Sequence, residues 1–394
     1  MKKEKFASRM KRMESNEMAE ILQLASIPGL ISFAGGLPAP ESFPVEQIKA
    51  SAIEVMDTLG RKALQYNNSS GYKPLREWIA DRMSNTGAKV EGEDILITSG
   101  SQQGIDLTGR VFLEKGDVVF CESPSYLGAI NALSAYECDF VEVSTDDEGM
   151  VMEELEKLVD EHQNGKFIYV IPDFQNPTGK TWTKERREKL LQIAKDKDLI
   201  IVEDNPYGEL RYEGRNVESI KSMDTEDRVV YLGTFSKILS PGIRIGWACA
   251  GKEIMDKYLR VKQRTDVHTN SVTQMELVNF LENNSIDKHI QELIKLYGNR
   301  RDIMVGSVKK YFPKEVKMTH PEGGLFLWLE LPENINTKDM LKKSVDKNVG
   351  YVPGGAFYPN NRQENTIRLN FSNMQEEDIK KGIKILGEVI KEEL

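Results

Sequence analysis

The chain has 394 residues, 39% hydrophobic and 29% charged, a balance that allows a large buried core and two domains. Its formal net charge of −9 argues against broad binding to nucleic acid or to an anionic membrane surface. No apolar run approaches the roughly 20 residues that would span a bilayer, and the charged start MKKEKFASRM leads into no apolar signal core, so a soluble cytoplasmic protein is expected.

In chain order, SNEMAEILQLA reads as a short helix capped by Ser15 or Asn16, with Met18, Ile21, Leu22 and Ala25 on one face. It leads into the glycine- and proline-rich ISFAGGLPAPESFP. From about 95 to 250 one theme repeats, in which a short apolar, β-branched run ends in a polar or glycine-rich turn. The runs are DILITSGSQQG, VVFCESPSY, FVEVSTDDEG, FIYVIPDFQNPTG, LIIVEDNPYG, VVYLGTFSK and IGWACAG. Helical patterns such as MEELEKLVDEHQ and KERREKLLQIAKDKD lie between several of them. Runs without alternation predict strands covered on both faces, hence a mostly parallel seven-stranded sheet in an α/β/α sandwich. After a helical region around 275–310, the strands GGLFLWLEL and TIRLNFS, with SVDKNVGYVPGGAFY between them, predict a smaller α+β domain. Three cysteines and four histidines show no ligand spacing, so no metal site is expected, and Cys121 and Cys249 read as buried small hydrophobes.

Ligands of such sheets collect beyond the carboxyl ends of the strands, which here hold Ser99–Gln103, Tyr126, Asn176, Asp204–Tyr207 and Thr234–Lys237. Asp204 closes an apolar strand, where an unpaired carboxylate is costly and a partner is expected; a turn aspartate before NPYG is an equal reading. Asn176 in QNPTG is likewise either a turn residue or a ligand group. SGSQQG offers backbone donors at a helix start, suited to a phosphate but also an ordinary strand-to-helix turn. Lys237 is sharper, because a desolvated amine loses basicity and becomes a nucleophile toward carbonyls. Arg244, set between apolar neighbours in PGIRIGW, is expected to be buried and to need an anion. Together these groups suggest a phosphorylated aldehyde cofactor.

TFSKILSPGIRIGW, PDFQNPTG, VEDNPYGEL and SGSQQGIDL resemble the fold-type I pyridoxal-phosphate (PLP) enzymes of aminotransferase class I/II. ISFAGGLPAPESFP and LQYNNSSGYKPLREWIA are similar to the subgroup with 2-aminoadipate and kynurenine aminotransferases. The resemblance implies an N-terminal segment at 1–46 that joins the small domain, a large PLP-binding domain at 47–295 and a small C-terminal domain at 296–394. It implies that Lys237 holds the PLP aldehyde covalently and moves a proton at the substrate Cα, and that Asp204 pairs with the pyridinium nitrogen. Tyr207 and Asn176 would bond the ring's phenolic oxygen, Tyr126 would stack on the ring, and Ser101, Gln102, Thr234, Ser236 and Arg244 would cradle the phosphate. Arg368 would clamp the substrate α-carboxylate, with Gly36 allowing close backbone approach. Tyr66, and with it Asn270, would reach the active site of the neighbouring subunit in a homodimer.

Members that accept acidic side chains carry an arginine in the N-terminal helix, in a pattern like IRELLKL, whereas Ala19 stands at that place in MAEILQL. The expected activity is therefore transfer of an amino group from an apolar or aromatic amino acid to a 2-oxo acid such as 2-oxoglutarate, with Arg9 or Arg12 as candidate substitutes for the missing cation. Two other readings stand beside it. One is a lyase or decarboxylase on the same scaffold; the other is a PLP-binding regulatory domain without turnover.

Overall fold

A computed structural model describes residues 5–13 and 17–394. Its strands in chain order are β1 (Ile31–Ser32), β2 (Ile95–Thr98), β3 (Val118–Ser123), β4 (Asp139–Asp146), β5 (Gly149–Met150), β6 (Gly165–Val170) and β7 (Ile200–Asp204). They continue with β8 (Val229–Thr234), β9 (Gly246–Cys249), β10 (Lys317–Met318), β11 (Phe326–Glu330), β12 (Val349–Gly350), β13 (Val352–Pro353) and β14 (Thr366–Asn370). The seven apolar runs are β2, β3, β4, β6, β7, β8 and β9, and they form one sheet in the order β2-β9-β8-β7-β6-β3-β4. An eighth strand, β5, extends the sheet beyond the expected seven by folding back antiparallel on the end of β4. Two residues are too few to show periodicity.

Successive residues of the central strands enter opposite cores, as a covered parallel sheet requires. Val119, Phe167 and Val202 join the larger apolar cluster, whereas Phe120, Ile168 and Ile201 pack with Leu155 and Leu190 of the helices Met152–Glu161 and Lys184–Asp196. Cys121 and Cys249 are free and buried within β3 and β9.

β3, β4, β6, β7 and β8 run parallel, so their carboxyl ends share one edge. β9 runs antiparallel to both β2 and β8, with Gly246 opposite Thr98 and Thr234. That reversal puts the end of β2 and the start of β9 at the same edge, which is where the polar turns gather.

The C-terminal lobe holds the antiparallel sheet β10-β11-β14-β13 and the helices Thr337–Asp346 and Glu376–Glu393. The helical region near 275–310 is two helices, Ser271–Asn283 and Ile286–Tyr311, the second capped by the Ser285 hydroxyl. The N-terminal segment joins this lobe. β1 pairs parallel with β12, and Asn370 N donates to Phe33 O at 2.8 Å.

The expected N-terminal helix spans Glu17–Ser26, with Ile21 buried; Ser15, Asn16 and the side chains of Met18, Leu22 and Ala25 lie outside what is described. Arg12 bonds Cys138 O and Asp139 Oδ1 at the amino end of β4, opposite the polar edge, so it does not stand in for the missing helix cation. Among the described residues no helix is long and apolar enough to cross a membrane.

Candidate active site

Lys237 follows β8 on the tight turn 235–240. Its Nζ donates to Gly36 O at 2.8 Å, which draws the N-terminal segment over the sheet edge. A Cβ on Gly36 would sit 3.0 Å from Phe326 Cζ, so a side chain there would press on that ring. The ammonium is half-buried and faces two other cations. Burial, then Arg368 and Arg244, bring its pKa down to about 8, against the attraction of Asp204.

Asp204 closes β7 and is buried. The partner expected for it is Tyr169, whose hydroxyl donates to Oδ2 at 2.7 Å. Oδ1 has no partner among the described residues. Burial lifts the carboxyl to about 6, opposed by the Tyr169 bond and by Lys237. A buried carboxylate with one open oxygen fits a protonated ring nitrogen, which would supply both charge and donor.

The turn after β2 has the backbone of an anion cradle. Gly100 takes φ +77° just before the helix Ser101–Phe112, and a Cβ there would fall 2.5 Å from Arg244 Nη2. Only glycine allows both the conformation and the approach. Arg244 itself adopts φ 51° at the end of a short 3₁₀ turn, and its Nη2 donates to Ser99 O at 3.0 Å. Its guanidinium is exposed, not buried as expected. The left-handed turn breaks the strand pattern and carries the side chain outward over Gly100. Thr234 and Ser236 complete the cradle: both are buried, and Thr234 Oγ1 lies 2.9 Å from Ser236 Oγ. An arginine, small hydroxyls and a helix start with free amides fit a phosphate.

Two tyrosines, one buried and one half-buried, follow strand ends at the same edge. Tyr126 Oη donates to Gln102 Oε1 at 3.3 Å, Gln102 Nε2 holds Gly128 O at 2.8 Å, and burial raises the Tyr126 hydroxyl to about 12. Tyr207 is buried edge-on against Phe326, with ring centres 5.8 Å apart, and burial raises its pKa further. Asn176 rides on a loop locked by the buried Arg187–Asp173 pair at 2.8 Å and by Gln175 Nε2 on Pro124 O at 2.8 Å.

Arg368, in β14, is buried without a carboxylate. Nη1 donates to Asn176 Oδ1 at 3.0 Å and Nη2 to Ala34 O at 2.6 Å, while Nε is unpartnered. The guanidinium lies over Phe326 at 4.3 Å and Phe357 at 4.9 Å, and burial lowers its pKa to about 10. A desolvated cation held only by neutral groups is suited to receive an anion.

Two expected residues stand apart. Tyr66 is 81% exposed, edge-on to His268, and Asn270 caps the helix Ser271–Asn283 by accepting from Thr273 N at 3.0 Å. Tyr169, Phe326 and Phe357 went unread in the sequence. A tyrosine inside the apolar run FIYV was the one available signal, since its hydroxyl needs a partner. A groove of about 1010 Å³ lined by Arg110, Ile200 and Lys257 opens at the opposite edge of the sheet and contains none of these groups.

Residues 31–386 match the family described as aminotransferase class I and II. The chain is 47% identical to aromatic-amino-acid aminotransferase 1 of Thermococcus litoralis, over 99% of this chain and 94% of that one. It is 38% identical to the 2-aminoadipate transaminase of Thermus thermophilus, over 98% and 97% of the two chains. The crystal structure of Pyrococcus horikoshii kynurenine aminotransferase superposes with a TM-score of 0.95 at 44% identity, covering 99% of this chain and 98% of that one. The chain belongs to the class I and II aminotransferases, a PLP-dependent family of fold type I.

Proposed function

We propose that this aminotransferase takes the amino group of aromatic and long apolar α-amino acids and passes it to a 2-oxo acid such as 2-oxoglutarate, in alternating half-reactions. The observation that carries the donor class is the apolar surround of Arg368. Ala34, Trp328, Val352 and Phe357 adjoin it and pack with Ile21 and Leu127 as one buried cluster. A cavity of about 350 Å³ borders the same cluster at Ile21, Leu24, Val352 and Ala356, with charges of both signs at its rim, Glu20 and Lys338 among them. The names of the relatives, which span aromatic amino acids, kynurenine and 2-aminoadipate, agree with a broad range. Ala19, exposed on the N-terminal helix, brings no cation for a second carboxylate.

PLP, when bound, supplies an aldehyde that takes up the amino group and a ring that accepts the electron pair from Cα. The chain's own groups do the rest. Lys237 Nζ, brought down to about 8, is poised to hold the aldehyde carbon and then to take and return the proton at the substrate Cα. Asp204 Oδ1 would accept from the protonated ring nitrogen. Tyr207 Oη and the Asn176 amide would hold the phenolic oxygen, and Tyr126 would cover the ring. The Ser101 and Gln102 turn, Thr234, Ser236 and Arg244 would bind the phosphate. Arg368 orients the α-carboxylate, and Gly36 keeps the covering segment close.

A homodimer in the cytoplasm is the proposed working form, with the exposed Tyr66 and Asn270 completing the partner's site. The proposed division is a large domain at 47–295, with 1–46 as an N-terminal segment that joins the small domain at 296–394. Support comes from the β1–β12 pairing and from the Arg368 bond to Ala34 O, both of which tie the N-terminal segment to the C-terminal lobe.

A screen of donors against acceptors tests the substrate class. Phenylalanine, leucine and methionine are expected to be turned over faster than 2-aminoadipate; a large preference for 2-aminoadipate would overturn the reading from Ala19. A second expectation concerns Arg368. R368K keeps the charge but loses the planar fork, and it is expected to raise KM roughly 10–100-fold for every α-amino acid and 2-oxo acid. Phenethylamine, which lacks the carboxylate, should not be affected. Equal losses for both would remove Arg368 from the carboxylate site.

A further inference from the structure

Lys262, on the helix Lys252–Thr265, is 0% exposed, and its Nζ meets four oxygens. They are Gln103 Oε1 at 2.8 Å, Thr269 Oγ1 at 2.9 Å, and Asp266 Oδ1 and Oδ2 at 2.9 and 2.7 Å. All three N–H donors are therefore engaged. The acceptors belong to two segments with different work.

Gln103 belongs to the phosphate turn. Its Oε1 also accepts from Ser99 N at 2.9 Å, and its Nε2 donates to Asp266 Oδ2 at 2.8 Å. Thr269 belongs to the loop 266–270. Its hydroxyl donates to Ile97 O at 3.2 Å, and its carbonyl lies 2.8 Å from His268 Nδ1. His268 in turn carries the Tyr66 ring, at 6.0 Å between centres, and accepts from Asn67 N at 3.3 Å through Nε2. One buried ammonium thus joins the turn that would grip the phosphate of this subunit's cofactor to the segment that would reach into the partner's site.

We infer that Lys262 is a positioning residue that couples the two active sites of the dimer: ordering of the phosphate turn by cofactor is passed through Gln103, Lys262 and Thr269 to the Tyr66–Asn270 edge. This rests on the shared-site homodimer proposed above. The physical basis is that Gln103 Oε1, Asp266 and Thr269 Oγ1 share the three donors of one fully buried ammonium, so a shift of one acceptor changes the bonds open to the others, even though the Asp266 carboxylate also reaches solvent. Cofactor binding and dimerisation are then linked, and the linkage is reciprocal.

A purely structural ion pair would lower stability when broken but leave that linkage intact, and replacing buried pairs by apolar groups is often nearly neutral. The test therefore measures the linkage. Dimer dissociation constants are determined by sedimentation for the wild type, K262M and T269V, each with saturating pyridoxal 5′-phosphate and after its removal. The wild-type dimer is expected to tighten by about tenfold or more with cofactor, within the usual range of such couplings. In K262M the ratio should fall to within about twofold of unity, and the cofactor affinity of the two should differ by a comparable factor. T269V, which removes one acceptor and leaves the Lys262–Asp266 pair, should lose part of the ratio and carries the test if K262M does not fold. Variants that keep the wild-type ratio would overturn the inference, as would a wild-type dimer indifferent to cofactor. A wild type that stays monomeric with cofactor bound would overturn the shared-site reading as well.

Discussion

K237A is expected to lose at least about 10³-fold in transamination, because it removes both the nucleophile for the aldehyde and the proton carrier at Cα. The same variant should still take up PLP through the phosphate turn, now without the covalent link. Its bound cofactor would then show the absorbance of the free aldehyde and leave on dialysis. Stability supplies a further readout. Burial and the neighbouring cations hold Lys237 at about 8 against its ordinary 10.5, so between those values the folded chain binds fewer protons than the unfolded one. Stability contributed at this position therefore rises with pH through the window, and at pH 7 the charged amine is a cost. Cofactor-free K237A should melt no lower than the cofactor-free wild type at pH 7. A clear drop in melting temperature would mean that the bond to Gly36 O matters more to the fold than the desolvated charge. Retained turnover would remove Lys237 from the proposed chemistry altogether.

Much of this site was legible because the chemistry sits where apolar runs stop. Asp204 and Thr234 close strands built mostly of buried aliphatics, Lys237 follows three residues after Thr234, and parallel strands bring such ends to one edge. What the runs do not record is the path of the chain between them. Arg244 was expected inside because its neighbours Ile243 and Ile245 are apolar, yet a left-handed backbone at Arg244 itself turns the side chain out over Gly100. Arg12 looked available as a cation for substrate, and only the tertiary structure reveals that it is spent on Asp139 at the far end of β4. The two-residue strands β1, β5, β12 and β13 are too short for any period. Yet the β1–β12 pair ties the segment carrying Gly36 to the lobe carrying Arg368. The neighbours of Arg368 were hidden for a similar reason. Phe326 and Phe357 lie 31 residues apart in sequence and meet only when β11 and β14 pair and the 3₁₀ turn Gly354–Phe357 folds beside them.

D204N separates the cost of this site from its use. In the cofactor-free protein the carboxyl stands at about 6 against an ordinary 3.8, with burial as the leading cause. Between those values the folded chain holds more protons than the unfolded one, so stability falls as pH rises through the window, and above about pH 6 the full cost is present. An amide in its place can still accept from Tyr169 but carries no charge at the position of the orphaned Oδ1. Cofactor-free D204N is therefore expected to be more stable than the cofactor-free wild type at pH 8, by on the order of 1–2 kcal/mol after allowing for the unsatisfied amide donors. The gain should shrink toward pH 5, where the wild-type carboxyl is largely protonated. Urea unfolding at the two pH values reads this difference directly. Adding PLP should reverse the order, since only an ionised Asp204 can pair with a cationic ring nitrogen. Turnover of D204N should fall by roughly 10²–10³-fold, the scale of losing a preorganised electrostatic partner. A less stable cofactor-free D204N at pH 8 would instead make Asp204 a structural anchor for Tyr169. The predicted reversal follows from one feature of the fold: β7 delivers a carboxylate into an apolar core with one oxygen open, and that oxygen destabilises the empty protein in proportion to what it offers a cationic ligand.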